Sequence, residues 1–312
     1  FYTDHFNWKE FSFALLFVFC FCVFRYYTFI PYFDEDISLL TSWWLKAYLA
    51  DMKLSFHFVL YLTPILLGYL IHSITHKHWT FWKNPAFILL LLFGVFIFSF
   101  RSSITFMIND WLENYATYAH VDWLNRILST FARGLFLFLV LFTYWYFTDR
   151  KNQPFYGFSS KKIDLKPYLI MLGCMLPLIA AASSQSDFLS SYPRVQRIAS
   201  LNMETPSHWK FYAIYEFLYG LDFFSIEFFF RGFMILGFVS IVGPKAIIPV
   251  AYMYVVIHWN KPMGELISSF FGGSLLGIIS YYSRSIWGGI IVHVGIAWLM
   301  EIGAFVSKYF FQ

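Results

Sequence analysis

Apolar runs close to 20 residues long recur along the whole of this 312-residue chain, and about 20 such residues make a helix that can cross a bilayer. Only 13% of the residues are charged, against 59% hydrophobic. A soluble domain covers its surface with about 25% charged residues, so this chain has too few to do so. The expected fold class is all-α, a polytopic transmembrane helical bundle. The formal net charge of +4 is small and spread over loops, which gives no case for nucleic-acid binding. Cys20, Cys22 and Cys174 lie in apolar runs, as reduced packing residues would, and not in a disulfide framework.

Nine spans are expected, at about 11–33, 54–75, 86–100, 131–147, 167–183, 211–241, 246–260, 264–282 and 286–306. The stretch 37–53, with Trp43, Trp44 and intermittent charge, reads as an interfacial helix, because Trp favours the headgroup level. The polar, Trp-containing stretch 101–130 reads as a second interfacial connection. A basic loop carrying Arg150, Lys151, Lys161, Lys162 and Lys166 belongs in the cytoplasm by the positive-inside rule. Counting outward from it places the N-terminus in the cytoplasm and the C-terminus outside. With no Asn-x-Ser/Thr sequon, the chain is compatible with a bacterial inner membrane. The first residue is Phe1, so a short N-terminal piece is expected to be missing; the first apolar run lacks a small-residue cleavage site, so no cleavable signal peptide is expected. Membrane lipid is the one partner these features imply directly.

Two regions are expected. Residues 1–150 are aromatic-rich and show no membrane-buried polar constellation; residues 151–312 hold the polar groups that look placed for a reason. In the first region His72, His76 and His78 resemble a metal tract. No carboxylate or cysteine accompanies them in the sequence, so they read as the basic end of a loop.

In the second region, Glu227 and Arg231 stand four residues apart on an apolar helix, within reach of each other on one face. A charge inside the membrane is costly and marks a functional site by default. His258 and His293 follow on later helices. At 1.5 Å per residue, the expected spans put Glu227 roughly 20 Å, His258 roughly 18 Å and His293 roughly 10 Å from the cytoplasmic side, so the three can meet. A carboxylate and two neutral imidazoles can bind a divalent, zinc-like metal or share a water between base and donors. Residue types alone leave a structural network open as well, with Glu227–Arg231 as an internal pair and the histidines donating to carbonyls.

The run Glu227-Phe-Phe-Phe-Arg231-Gly-Phe, then Tyr254-x-x-x-His258, then Ser285-Ile-Trp-Gly-Gly-Ile-Ile-Val-His293, resembles the CPBP family, the CAAX-protease or Abi type of intramembrane metalloproteases. That family carries Glu-Glu-x-x-x-Arg, Phe-x-x-x-His and His-x-x-x-Asn on successive helices in this order. The resemblance covers about 160–306, with Tyr156-Gly-Phe-Ser resembling the usual entry to the core, and implies a CPBP-like core in the C-terminal half. It implies that Glu227, Arg231, His258 and His293 occupy catalytic positions, with His258 and His293, and Glu227 or Asp222, as candidate metal ligands. Two positions depart from the family pattern: Ile226 replaces the first Glu, the residue that activates the attacking water, and Ala297 replaces the Asn held to stabilise the oxyanion. Each lost group is worth orders of magnitude in rate. Asp222, one turn before Ile226 on nearly the same face, is the candidate substitute base; Glu301 lies too far outward. On span eight, Ser269, Gly273 and Gly277 form the small-x-x-x-small pattern that lets helices approach closely.

The expected function is therefore that of a CPBP-like membrane protein with an incomplete catalytic set, which binds or stabilises a membrane-protein or peptide partner in the former active-site cavity. An active metal-dependent endopeptidase is the alternative. A histidine-bound cofactor such as haem, or an ion carrier, is a third reading, without any haem-attachment motif behind it.

Overall fold

The computed structural model of the chain describes residues 7–29, 53–115, 118–158, 164–198 and 209–310, and every regular element among them is helical. The interfacial stretch expected over 37–53 lies outside these residues except for its last one, and so do Lys161 and Lys162.

The chain opens with α1 (Trp8–Phe29) and α2 (Lys53–His76). After a short 3₁₀ turn at Thr80–Lys83 comes α3 (Pro85–Tyr115). Its start is set locally: the Ala86 N–H donates to Asn84 Oδ1 at 3.0 Å, and Pro85 fills the first helical position, where a missing N–H costs nothing. Then follow α4 (Tyr118–Tyr144), α5 (Lys166–Ala182) and the short α6 (Ser186–Ser191). The second half continues with α7 (Trp209–Glu227), which runs into a π-helical segment at Phe228–Gly237 and then α8 (Val239–Val242). The last three helices are α9 (Ile247–Val256), α10 (Met263–Ser283) and α11 (Trp287–Phe310).

By length and composition, 6 helical stretches among the described residues can cross a membrane: Leu54–His76, Pro85–Glu113, Val121–Asp149, Val239–Val256, Met263–Ser283 and Trp287–Phe310. The protein is an integral membrane protein built as an all-α bundle. Among the described residues the count is lower than the nine expected, and two of the differences have physical reasons. The expected fifth span, Lys166–Ala182, is a shorter apolar helix, and the long run at 211–241 changes from α to π winding after Glu227. Residues 101–130 are no interfacial connection. Arg101 lies inside the 31-residue α3, and α4 starts at Tyr118. Arg101 and Ser103, which break the apolar run there, are buried within the bundle, whereas Asp110, Glu113 and Asp122 are exposed.

The helices pack α3 on α4, α2 on α9, α9 on α10, α4 on α7, and α11 on both α5 and α7. One apolar core runs across both regions of the chain, from Ala14 through Phe98 and Leu137 to Ile290. Its centre is the π segment, in which Phe228, Phe229, Phe230 and Phe233 are all buried. Small residues set the approach of the neighbours. A Cβ on Gly273 would lie 2.9 Å from the Tyr254 ring, and one on Gly277 3.0 Å from Ile235. The small-residue stripe of α10 therefore seats α9 and the π segment. The entry segment docks on the same place: a Cβ on Gly232 would lie 2.8 Å from the Tyr156 carbonyl oxygen. The Tyr156 hydroxyl donates to Asp149 at 2.7 Å, and burial beside that carboxylate pushes its phenol well above the usual value.

Candidate functional site

Glu227 is the last residue of α7 before the π winding begins. Its side chain is wholly buried. Oε1 lies 3.0 Å from Arg231 Nη1 and 2.8 Å from His293 Nδ1. Arg231, 1% exposed, lies over the Tyr254 ring at 4.4 Å and donates to the Gly273 carbonyl at 3.4 Å. Position 289 must be glycine for this arrangement, because a Cβ there would collide with Glu227 Oε2. A buried charge of this kind persists only when paired, and here both ions are.

His258 and His293 come to the same site from the end of α9 and from α11, respectively, linked through Tyr254. His258 Nδ1 donates to the Tyr254 carbonyl at 2.7 Å, and the Tyr254 hydroxyl lies 3.2 Å from His293 Nε2. Both nitrogens of His293 thus have partners inside the protein, one on Glu227 and one on Tyr254.

These residues border a cavity of about 340 Å³ whose wall includes Asp222, Ile226, Tyr254, His258 and His293. Ile226 faces the cavity, whereas Glu227, about 100° around the helix, points away from it into the Arg231 pair. Asp222 carries the one carboxylate on the wall, and two arginines hold it. Arg101 Nη2 donates to its Oδ1, and Arg133 Nη2 donates to its Oδ2 at 3.2 Å. Arg101 also reaches Ser225 Oγ at 3.2 Å, and Arg133 Nη1 reaches Thr105 Oγ1 at 3.1 Å. Glu301 accepts the Arg194 backbone N–H at 2.8 Å, away from the two histidines. Ala297 is buried, one turn after His293.

The cavity wall is strongly cationic. Arg101, Arg126, Arg133, Arg194 and Lys261 all line it, against Asp222 alone. The Nε atoms of Arg101, Arg133 and Arg194 are buried without a hydrogen-bond partner. Lys261 is paired with Glu265 at 2.8 Å and donates to the Tyr192 hydroxyl at 2.8 Å. None of these cations was singled out from the sequence. They stand in different helices and loops, and no local spacing announces that they converge.

The fit to a catalytic metal can be tested on donor geometry. Among the described residues, ligand atoms from three metal-binding side chains converge within 4.8 Å at one place, and it consists of Glu10, His72 and His76. Glu227, His258 and His293 do not form such a group. With both His293 nitrogens engaged and Asp222 tied to two arginines, the residues at this cavity do not fit a three-ligand metal site.

These groups follow one another along the chain as Glu–Arg, then a histidine, then a second histidine, the order that the resemblance to the CPBP family implies. Residues 209–299 match the family model of type II CAAX prenyl endopeptidase Rce1-like proteins. Over that stretch the chain is similar to the CPBP/CAAX-protease family. No curated protein and no solved structure matches the chain.

Proposed function

We propose that this protein is a non-proteolytic member of its family, and that its cavity binds the acidic end of a membrane-associated peptide or protein partner. The observation that carries the reading is the cavity wall: an isoleucine where the family places its general base, surrounded by five cations and one carboxylate. Water attack on a peptide bond needs a base within about 3 Å of the water. Asp222 spends its charge on Arg101 and Arg133, and Glu227 spends its own on Arg231 and His293. A partner that brings a carboxylate into the cavity would meet guanidinium groups whose Nε donors lack partners, and charge-assisted hydrogen bonds of this kind are the strong ones.

In this reading no zinc-like metal sits between His258 and His293, and the protein lies in a bacterial inner membrane with its N-terminus in the cytoplasm. The basic residues Arg150, Lys151 and Lys166 support that orientation. An active metal-dependent endopeptidase is the second reading, favoured by one observation: His258 Nδ1 is held by a carbonyl, which is how a ligating imidazole is oriented to present its other nitrogen.

The test uses the full-length protein in lipid nanodiscs and a labelled peptide with a free or an amidated carboxyl terminus. The free form is expected to bind at least about tenfold more tightly, to weaken with salt and with Arg126→Ala, and to remain uncut. Equal binding of the two forms would exclude the carboxylate role. Cleavage that is abolished by His258→Ala would establish the endopeptidase instead.

A further inference from the structure

Away from the cavity, the first region of the chain builds a second polar cluster. His72 and His76 stand four residues apart on α2, so their rings project from one face and stack at 4.3 Å. Glu10, in the first turn of α1, reaches both. Its Oε1 lies 2.7 Å from His72 Nδ1, and its Oε2 lies 2.9 Å from His76 Nε2. The approach is fixed by Asn7, whose Oδ1 accepts the N–H groups of Lys9 and Glu10 and whose Nδ2 donates to the Thr75 carbonyl. α1 is thereby capped and tied to the end of α2 at the level of the cluster.

We propose that Glu10, His72 and His76 form a binding site for a divalent metal ion of borderline softness, Zn²⁺ or Co²⁺. Three arguments carry it. First, the ligand set is right: two imidazoles and one carboxylate, with the ligand atoms all within 4.8 Å of one another, is a zinc-binding combination that leaves a fourth position for water. Tetrahedral ligands at about 2.0–2.1 Å from an ion stand about 3.3 Å apart, so the cluster must open by roughly half an ångström. His76, whose side chain is 26% exposed, is free to supply that movement and leaves a side open to water. Second, Glu10 is 5% exposed, and among the described residues no lysine or arginine pairs with it. A buried carboxylate that faces only imidazoles has a place for a cation. Third, the His72 Nε2 atom is buried without a partner, so the ring's orientation is set by its Nδ1 side, where the cluster lies.

The site would do more than hold two helices. α1 stacks Phe17 on Tyr252 of α9 at 4.3 Å, and near its far end Arg25 donates to the Lys261 carbonyl beside the cavity. An ion at Glu10 would fasten the near end of the same helix.

The experiment takes full-length protein, freed of any affinity tag and stripped with chelator in detergent, and titrates it with Zn²⁺ and with Co²⁺ as a spectroscopic probe. Wild type is expected to bind one equivalent at this site and to show the visible absorption of a low-symmetry Co²⁺ centre. His76→Ala, at the more exposed ligand, and the isosteric Glu10→Gln should each weaken binding by about 100-fold or more, since a lost ligand costs at least as much as a lost supporting hydrogen bond. The double variant His258→Ala/His293→Ala should keep that equivalent. Absence of Co²⁺ absorption and of Zn²⁺ uptake in wild type would overturn the proposal without reference to any variant. So would binding that survives His76→Ala and Glu10→Gln and disappears in the double variant.

Discussion

The two polar clusters of this molecule use the same residue types to opposite effect. At Glu227 a buried carboxylate meets a guanidinium and an imidazole; a guanidinium is a permanent cation, and Glu227 is paired with that of Arg231 and turned from the cavity. At Glu10 the same carboxylate meets two imidazoles and no permanent cation. Imidazoles can give up their protons or their lone pairs, so that cluster can change state. A carboxylate with a fixed partner serves the fold, whereas one with changeable partners can bind. The family motif led to the first cluster, but the convergence of three ligand atoms occurs at the second.

The largest expected effect follows from that difference. Glu227→Gln leaves Arg231 buried without a counter-charge and should cost about 3–5 kcal/mol, seen as a much lower unfolding midpoint in detergent. Glu10→Gln, in chelator, strands no guanidinium or ammonium group and should cost only about 1 kcal/mol, the loss of one or two hydrogen bonds. Equal losses in the two variants would erase the distinction between a fixed and a changeable cluster. Next in size is Asp222→Asn, which strands Arg101 and Arg133. The cost is expected near 2 kcal/mol, below that of a sealed pair, because Asp222 is 25% exposed and its partners face a cavity. The same substitution adds unpaired positive charge to the wall and should tighten the binding of a free-carboxyl peptide. Weaker binding would show that Asp222 itself contacts the partner.

How much of this was legible in the sequence depends on how far apart the interacting residues lie. Glu227 and Arg231 are one helical turn apart, so their pairing follows from periodicity alone. That Ile226 and Glu227 point in different directions follows from the 100° step per residue; which of them lines the cavity does not, and it is Ile226. The stripe Ser269, Gly273, Gly277 was equally readable. Pairings across the chain were not. Arg101 meets Asp222 across 121 positions and Glu10 meets His72 across 62, and no local pattern records either. For that reason residues 1–150 looked empty of placed polar groups, and His72 and His76 looked like a loop end. Hydropathy counted spans by their apolar runs, and so split α3 at Arg101, where a buried ion pair replaces the apolar residues a span would otherwise need. The change from α to π winding after Glu227 has no signature in the 3.6-residue pattern.

A smaller change sharpens the comparison at the first cluster. Gly289 touches Glu227 through its bare Cα, and a methyl group there would collide with Oε2. Gly289→Ala should therefore cost about 1–3 kcal/mol, the usual penalty for overpacking, by pushing the carboxylate off Arg231 or α11 off α7. The informative partner is Gly264→Ala: no heavy atom within 4 Å would meet its Cβ, so helix propensity should make it neutral or slightly stabilising. If the two glycines behave alike in thermal unfolding, close approach is not what position 289 contributes.

The smallest effect tests whether the two clusters can be made alike. Tyr254 stands where the family motif carries Phe, and its hydroxyl lies on His293 Nε2 at 3.2 Å, the nitrogen left over once Nδ1 is on Glu227. Tyr254→Phe removes one hydrogen bond between partly buried groups and should cost no more than about 1 kcal/mol. It also frees the one His293 nitrogen that could face a metal. If the hydroxyl is what keeps His293 occupied, the variant should take up an additional equivalent of Co²⁺ that His258→Ala removes again. If uptake does not change, the missing third ligand at position 226 is the stronger obstacle, and Ile226→Glu on the Tyr254→Phe background should be the first combination to bind metal there.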